Sequence, residues 1–302
     1  MQSNNSGQTF SHRDINPNEK VYLDFLEYVR QNGEEVTDRT GVGTKNIFGT
    51  QVRYDLRQGF PLLTSRKLNL KTALSEILWI LEGSGDERRL AELRFGKPRE
   101  ELVGKKTVWT ANANAPYWID KKMDEGDLGR VYGVQARQWI TKEGSTIDQI
   151  EQAVHMLKTD PQSRRNIVML WNPAELDKMC LPPCHLKWNF YVTNGRLDML
   201  LYMRSNDLFL GKPCNTAEYA LLIHMLAQVC NLEVGSLIFT TGSAHIYLNH
   251  LDAVDEQLGR MPLKAPKLIM NPDVKNIFDF KMEDFELEGY NSWPAISAEM
   301  AV

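Results

Sequence analysis

Residues 215–231 (NTAEYALLIHMLAQVCN) are apolar on almost every side, and β-rich runs flank them: NIVMLW, LKWNFYV and RLDMLLYMRS before, LIFTTG after. A helix that is apolar all round has to be buried. Strands that come in runs, instead of alternating one by one with helices, point to an α+β chain and away from a regular βαβ winding. With 302 residues, 42% of them hydrophobic, the chain can close a sizeable core around that helix.

The other segments fit one domain. Residues 19–32 (EKVYLDFLEYVRQN) carry apolar positions at helical spacing and stop at Gly33. TQVRYDLR (50–57) alternates like a half-buried strand, NLKTALSEILWILE (69–82) is a strongly apolar helix, and IDQIEQAVHMLK (147–158) is an amphipathic one. Residues 84–125 are charged and irregular and are expected to form a smaller, variable lobe. Residues 1–18 are expected to be a flexible lead, with a single catalytic domain from 19 to 302. The tail from 263 mixes Pro-bounded strands with a short helix.

The charge balance excludes some partners. With 35 basic and 39 acidic residues the chain has a net charge of -4, whereas a nucleic-acid binder is more often basic, so no DNA partner is expected. Apolar runs are short and interrupted, so no membrane span is expected, and the polar first residues lack a signal-peptide core. Cys180, Cys184, Cys214 and Cys230 are then free thiols in a reducing cytoplasm.

Four segments carry candidate chemistry. In LPPCHLKWNFYV (181–192), two prolines force an irregular approach to a strand and leave Cys184 at its mouth beside His185. A lone cysteine is more often a small buried hydrophobe, and with Cys180 and His185 it lacks a second ligand pair, so no metal is expected. In MRSNDLFLGKPCNTAEY (203–219), Arg204 and Ser205 end a strand and suit an anion, while Asn215 starts a helix, where its amide either caps the helix or reads a ligand's edge. Arg164 and Arg165 in DPQSRR, and Arg39 in DRTGVGT, are either solvated surface or guanidinium clamps for phosphate. In TTGSAHIYLNH (240–250), His245 and Tyr247 alternate on one strand face, as core residues or as contacts to one ligand.

Taken in order, DRTGVGT, GFPLLTSRK, EILWILEG, GDLGRVYG, DPQSRR, NPAELDKMCLPPCH, RSNDLFLGKPCN, AEYALLIHM, HIYLNH and FDFKMEDFELEGY resemble the thymidylate synthase family from about Glu19 to Val302. The resemblance implies a large mixed β-sheet with helices, one sheet face forming an obligate homodimer interface. It implies deoxyuridylate (dUMP) as substrate and 5,10-methylenetetrahydrofolate as one-carbon donor. By position, Cys184 matches the nucleophile, and Arg39, Arg204 and Ser205 match phosphate ligands. Arg164 and Arg165 match a pair lent to the other subunit's site. Asn215 matches the reader of the pyrimidine edge, and His245 and Tyr247 the ribose-hydroxyl ligands. Glu76 and Tyr132 match groups that manage proton transfer, with His185 beside the nucleophile. Val108, Trp109, Asn112, Asp207, Leu210, Gly211, Ala301 and Val302 match folate-side residues.

The implied chemistry suits these residue types. Thiolate attack at C6 makes C5 nucleophilic. Neighbouring arginines favour the thiolate. Asn215 offers an N–H to O4 and accepts from N3–H, so it selects uracil; a cytosine-directed relative is expected to carry Asp there.

The sequence leaves the family pattern close to the chemistry. Met203 and Asn189 stand where Gln is usual, Cys214 where Phe is usual and Glu218 where Ser is usual. Ser243 and Ala244 interrupt a Gly-Asp-x-His pattern, Thr110 follows Trp109 where Asp is usual, and Ala136 replaces a Trp. These departures remove polar groups that order water and a large apolar surface near the folate. They favour water capture of the C5 methylene, giving 5-hydroxymethyl-dUMP, as in enzymes of phages with modified DNA; the location is then the host cytoplasm. Trp109 and Val302 are retained, which keeps thymidylate synthesis as the alternative. A dCMP hydroxymethylase and a non-catalytic RNA-binding relative stand behind both.

Overall fold

The computed structural model describes residues 15–37 and 40–300. Arg39, Ala301, Val302 and most of the expected N-terminal lead lie outside the described residues. In chain order the helices are α1 (Pro17–Asn32), α2 (Leu70–Leu81), α3 (Glu87–Phe95), the short α4 (Thr110–Ala113) and α5 (Pro116–Ile119), α6 (Tyr132–Arg137), α7 (Gln149–Thr159), α8 (Gly211–Cys230) and α9 (Leu251–Leu258). The strands are β1 (Glu34–Val36), β2 (Thr44–Asp55), β3 (Trp139–Ile140), β4 (Thr146–Ile147), β5 (Ile167–Met169), β6 (His185–Thr193), β7 (Arg196–Asp207), β8 (Glu233–Tyr247), β9 (Lys267–Met270) and β10 (Phe285–Glu288).

The main sheet runs β1-β2-β8-β7-β6-β5. All neighbours pair antiparallel except β7 and β8, which are parallel. Parallel neighbours need a long crossover, and α8 supplies it. This makes the sheet mixed, as the resemblance implied.

One sheet face carries the core. Trp188 and Phe190 of β6 sit opposite Leu201 and Met199 of β7, which in turn face Phe239 and Leu237 of β8. All six are essentially without exposure, and α8 packs against them. The other face is left half-covered within one chain: Ile167, Met169 and Tyr191 remain exposed there.

The helix ends follow local chemistry. α1 begins two residues before the expected Glu19, because Asn16 Oδ1 accepts from Asn18 N at 3.1 Å and Glu19 N at 3.3 Å, and Pro17 suits the first position. Glu19 then reaches into the core and accepts from the Thr64 N–H, the Thr64 hydroxyl and the Ser65 N–H. That carboxylate anchors the loop that delivers α2 to the site.

α8 begins at Gly211, four residues before the expected start. Pro213 falls in the first turn, where a missing N–H leaves no bond unmade. Asn215 is therefore inside the helix and does not cap it. Likewise Arg204 and Ser205 lie within β7, which runs on to Asp207. At the C-terminal side, Tyr290 Oη donates to Leu63 O and accepts from Leu68 N, and Trp293 N donates to Thr64 O. These bonds tie the tail to the same loop and bring its last residues to the site.

Candidate active site

Cys184 is held through its own backbone and through that of the two prolines before it. Its N–H donates to Tyr132 Oη at 2.8 Å, and its carbonyl accepts from Arg204 N at 2.9 Å. The carbonyls of Pro183 and Pro182 accept from Arg204 Nε (3.0 Å) and Nη2 (2.9 Å). The prolines cannot donate to a ladder, so their loop stays out of the sheet and is clamped from β7 instead. β8 approaches β7 closely here: a Cβ on Gly242 would lie 2.7 Å from Arg204 O, so only glycine fits.

An aromatic series supports this corner. Trp79 meets Trp109 at 6.2 Å between centroids, Trp109 meets Tyr132 at 5.6 Å, Tyr132 meets His185 at 5.1 Å and His185 meets Tyr219 at 5.2 Å. Edge and tilted contacts of this kind fix ring orientation as well as burying area. Tyr219 Oη also bonds His185 Nδ1 at 2.5 Å. Burial pushes the His185 imidazole down to about 3, so the ring is neutral at physiological pH. Burial, and to a smaller degree the nearby Cys184, push the Tyr132 phenol well above its usual range, so its proton stays on.

These groups open onto a cavity of about 760 Å³. Cys184, His185 and Tyr132 line one side with Glu76 from α2. Ser205, Asp207, Leu210, Gly211 and Asn215 line a second side, where β7 passes into α8. Val108, Trp109 and Asn112 close a third, joined by Ala298 and Met300 of the tail. Twelve separated sequence positions expected to act together thus share one space.

The polar groups are oriented. Glu76 Oε1 accepts from Trp109 Nε1 at 2.9 Å; burial raises its proton affinity more than that bond and the Arg94 charge lower it. Asp207 Oδ1 accepts from Phe209 N (2.9 Å) and Leu210 N (3.2 Å), so the carboxylate is fixed and its second oxygen can take a ligand N–H. Asn215 Oδ1 accepts from Asn206 Nδ2 at 3.1 Å. A carboxylate beside an apolar and aromatic wall suits a flat heterocycle with N–H donors, as the pterin of a folate has.

Other expected residues stand apart from the cavity. The Arg204 side chain spends two N–H groups on the proline loop and so shapes the corner that holds Cys184; a guanidinium has five donors, so others remain that could meet an anion. Arg164 and Arg165 are exposed in the turn before β5, outside this chain's own cavity. His245 and Tyr247 meet edge to face at 5.2 Å on β8, with His245 opposite Asp207 in register, next to the cavity wall. Arg39 and Ala301 lie outside the described residues.

Three residues at the site escaped the reading of the sequence as site residues. Arg94 of α3 lines the cavity with a buried Nη1 that has no partner. Its helix, ERRLAELRF, is so rich in charge that no single arginine stands out. Asn206 and Glu218 hold Asn215, the latter accepting from Asn215 Nδ2 at 3.4 Å. The signal for Glu218 was present: it is the one carboxylate in a mostly apolar, buried helix.

Among the described residues no helix is long and apolar enough to cross a membrane, and no group of three His, Cys, Asp or Glu is placed to hold a metal. The family model described as Thymidylate synthase matches residues 20–302. That match covers nearly the whole chain, and with a clamped cysteine, an amide and a carboxylate sharing one cavity it leads to a single assignment: the chain belongs to the thymidylate synthase family.

Proposed function

We propose that the protein is a dUMP 5-hydroxymethylase, which converts dUMP, methylenetetrahydrofolate and water into 5-hydroxymethyl-dUMP and tetrahydrofolate. The family carries out folate-dependent one-carbon transfer to C5 of dUMP, as a homodimer. The observation that carries the reading of this chain is the convergence of Cys184, Asn215, Glu76 and Tyr132 on one cavity. Cys184 Sγ adds to C6 of the uracil ring. Asn215 meets O4 and N3–H and takes up the charge that develops at O4. Glu76, whose proton affinity burial raises above that of an ordinary carboxylate, manages removal of the C5 proton through water. Tyr132, with its proton retained, keeps the nucleophile's backbone in place and can donate toward the ring.

The phosphate is assigned to Arg204 and Ser205, with Arg39 and with Arg164 and Arg165 of the neighbouring subunit. The exposed sheet face around Ile167, Met169 and Tyr191 suits the dimer that this sharing needs. His245 and Tyr247 are assigned to the ribose. The bound folate supplies the one-carbon unit and rests against Val108, Trp109, Asn112, Asp207, Leu210 and Gly211, with Ala301 of the tail.

Two residues favour the hydroxymethyl product. Met203 is buried at 1% exposure, pairs with His185 in register and lines the cavity. A thioether there orders water poorly compared with an amide. Cys214 also lines the cavity, and its small side chain leaves room for water beside the C5 methylene. Thymidylate synthesis is the second reading, because Trp109 is buried, bonded to Glu76 and set edge to face against Tyr132, which keeps the folate wall closed.

The test is one reaction of purified protein with dUMP and methylenetetrahydrofolate. The nucleotide is identified by mass and the spent folate by absorbance. Hydroxymethyl-dUMP with tetrahydrofolate is expected. Thymidylate with dihydrofolate would replace the hydroxymethylase reading by the second one.

A further inference from the structure

The amide of Asn215 is held at both ends, by Asn206 Nδ2 on its oxygen at 3.1 Å and by Glu218 Oε2 on its nitrogen at 3.4 Å. An amide set against a pyrimidine has two rotations. In one, its N–H meets a carbonyl at C4 and its oxygen meets N3–H, which is the edge of uracil. Turned over, its oxygen meets an amino group at C4 and its N–H meets a bare N3, which is the edge of cytosine. Choosing a base is therefore choosing a rotation.

Asn206 cannot make that choice. Its own Oδ1 is buried without a partner, so its amide can turn over together with that of Asn215 and keep their hydrogen bond. Glu218 can make it, because an ionised carboxylate only accepts, and only the nitrogen end of Asn215 can then face it. Glu218 lies three residues after Asn215 on α8, fully buried, with Oε1 unpartnered. It is absent from the cavity lining, so it acts through Asn215 as a positioning residue.

We propose that Glu218 is the base-selecting residue of this site, holding Asn215 in the rotation that reads uracil and rejects cytosine. The inference rests on the reading of the cavity as a deoxyuridylate site. The groups that bear on Glu218 are Glu76 from α2, Tyr132 from α6, and Cys214 and Tyr219 on α8 itself. Burial first and the Glu76 charge second raise its proton affinity, against the Asn215 hydrogen bond. A protonated Glu218 donates as well as accepts and frees the amide to turn. Discrimination is then strongest at high pH and weakens as pH falls.

The experiment measures dissociation constants for dUMP and dCMP by calorimetry, without folate, on wild type and Glu218→Gln between about pH 6 and pH 9. Gln has the size of Glu and, like the acid form, both donates and accepts. In wild type the dCMP-to-dUMP ratio is expected to rise with pH. In Glu218→Gln it is expected to be pH-independent and about tenfold below the high-pH wild-type value, the worth of one oriented hydrogen bond. An unchanged ratio in Glu218→Gln overturns the proposal, and so does an equal loss of affinity for both nucleotides. Wild type that binds neither nucleotide refutes the proposed function instead.

Discussion

Lys212 sits in the first turn of α8 on the side facing the sheet, opposite the cavity. It is fully buried and its Nζ has no hydrogen-bond partner. The amine lies 3.5 Å from the centroid of the Phe239 ring, with the Tyr54 and Phe25 rings at 5.4 and 5.9 Å. Two effects compete. Ring faces attract an ammonium by roughly 2 kcal/mol when it is desolvated. Taking an unpaired ammonium out of water costs several kcal/mol. The second wins, and burial pushes the amine well below the ordinary lysine range. Between that depressed folded value and the unfolded one, the unfolded chain holds a proton that the folded chain lacks. Stability therefore rises with pH through this window, by about 1.4 kcal/mol per pH unit. Lys212→Met keeps the length and removes both the titration and the unpaired donor. It is expected to exceed wild type at neutral pH by at least roughly 1–3 kcal/mol, the cost of the orphaned polar group. The gap should narrow by about 1.4 kcal/mol per pH unit as the pH is raised toward that of free lysine. Urea unfolding at one fixed protein concentration measures it, the concentration being held because the family is dimeric. A destabilised Lys212→Met, or a gap independent of pH, would refute the reasoning; the latter would mean that the rings keep the ammonium charged.

Other outcomes follow from the same geometry. Tyr132→Phe leaves the Cys184 N–H without its acceptor, a loss of about 1–3 kcal/mol, and is expected to lower kcat by about tenfold or more while dUMP binding, followed by calorimetry, stays near wild type. Glu175 is buried and accepts from Arg130 Nε (2.7 Å), Gln135 Nε2 (2.9 Å) and Asn172 Nδ2 (3.1 Å). Burial would raise its carboxyl, but these donors and the Arg130 charge outweigh it and hold it below the ordinary range. Its stabilisation is thus present above the unfolded pKa and lost as pH falls through the folded one. Glu175→Ala should cost about 3 kcal/mol at neutral pH and flatten the acid limb of a stability-versus-pH curve measured by denaturant unfolding. Removing residues 298–302 takes Ala298 and Met300 from the cavity and frees His250 Nε2 from Glu299 O. Steady-state kinetics should show a fall in kcat/KM for the folate, and calorimetry an unchanged affinity for dUMP.

Much of this protein was legible in its residues. The all-round apolar segment, the runs of strands and the two prolines before Cys184 each act through local rules: burial, pairing and a forced break from the ladder. Those rules place a buried helix beside a sheet and a thiol at a strand mouth. The start of α8 lies four residues before the apolar pattern begins, because Pro213 is tolerated in a first turn, so of the two local readings of Asn215 the cap is excluded. Tertiary structure alone decided which side chains share a space. Glu76, Trp109, Tyr132, Cys184 and Asn215 come from separate elements and meet only because α2, α6 and α8 converge where β6 begins and β7 ends. Lys212 and Glu218 show the same division from the other side. Their neighbours in sequence announce that they are buried, but their protonation is set by what faces them: aromatic rings for the amine, and a second carboxyl and an amide for the acid. The rings and the second carboxyl are contributed by other strands and helices, at distances that no local pattern encodes; only the amide, Asn215, lies on the same helix.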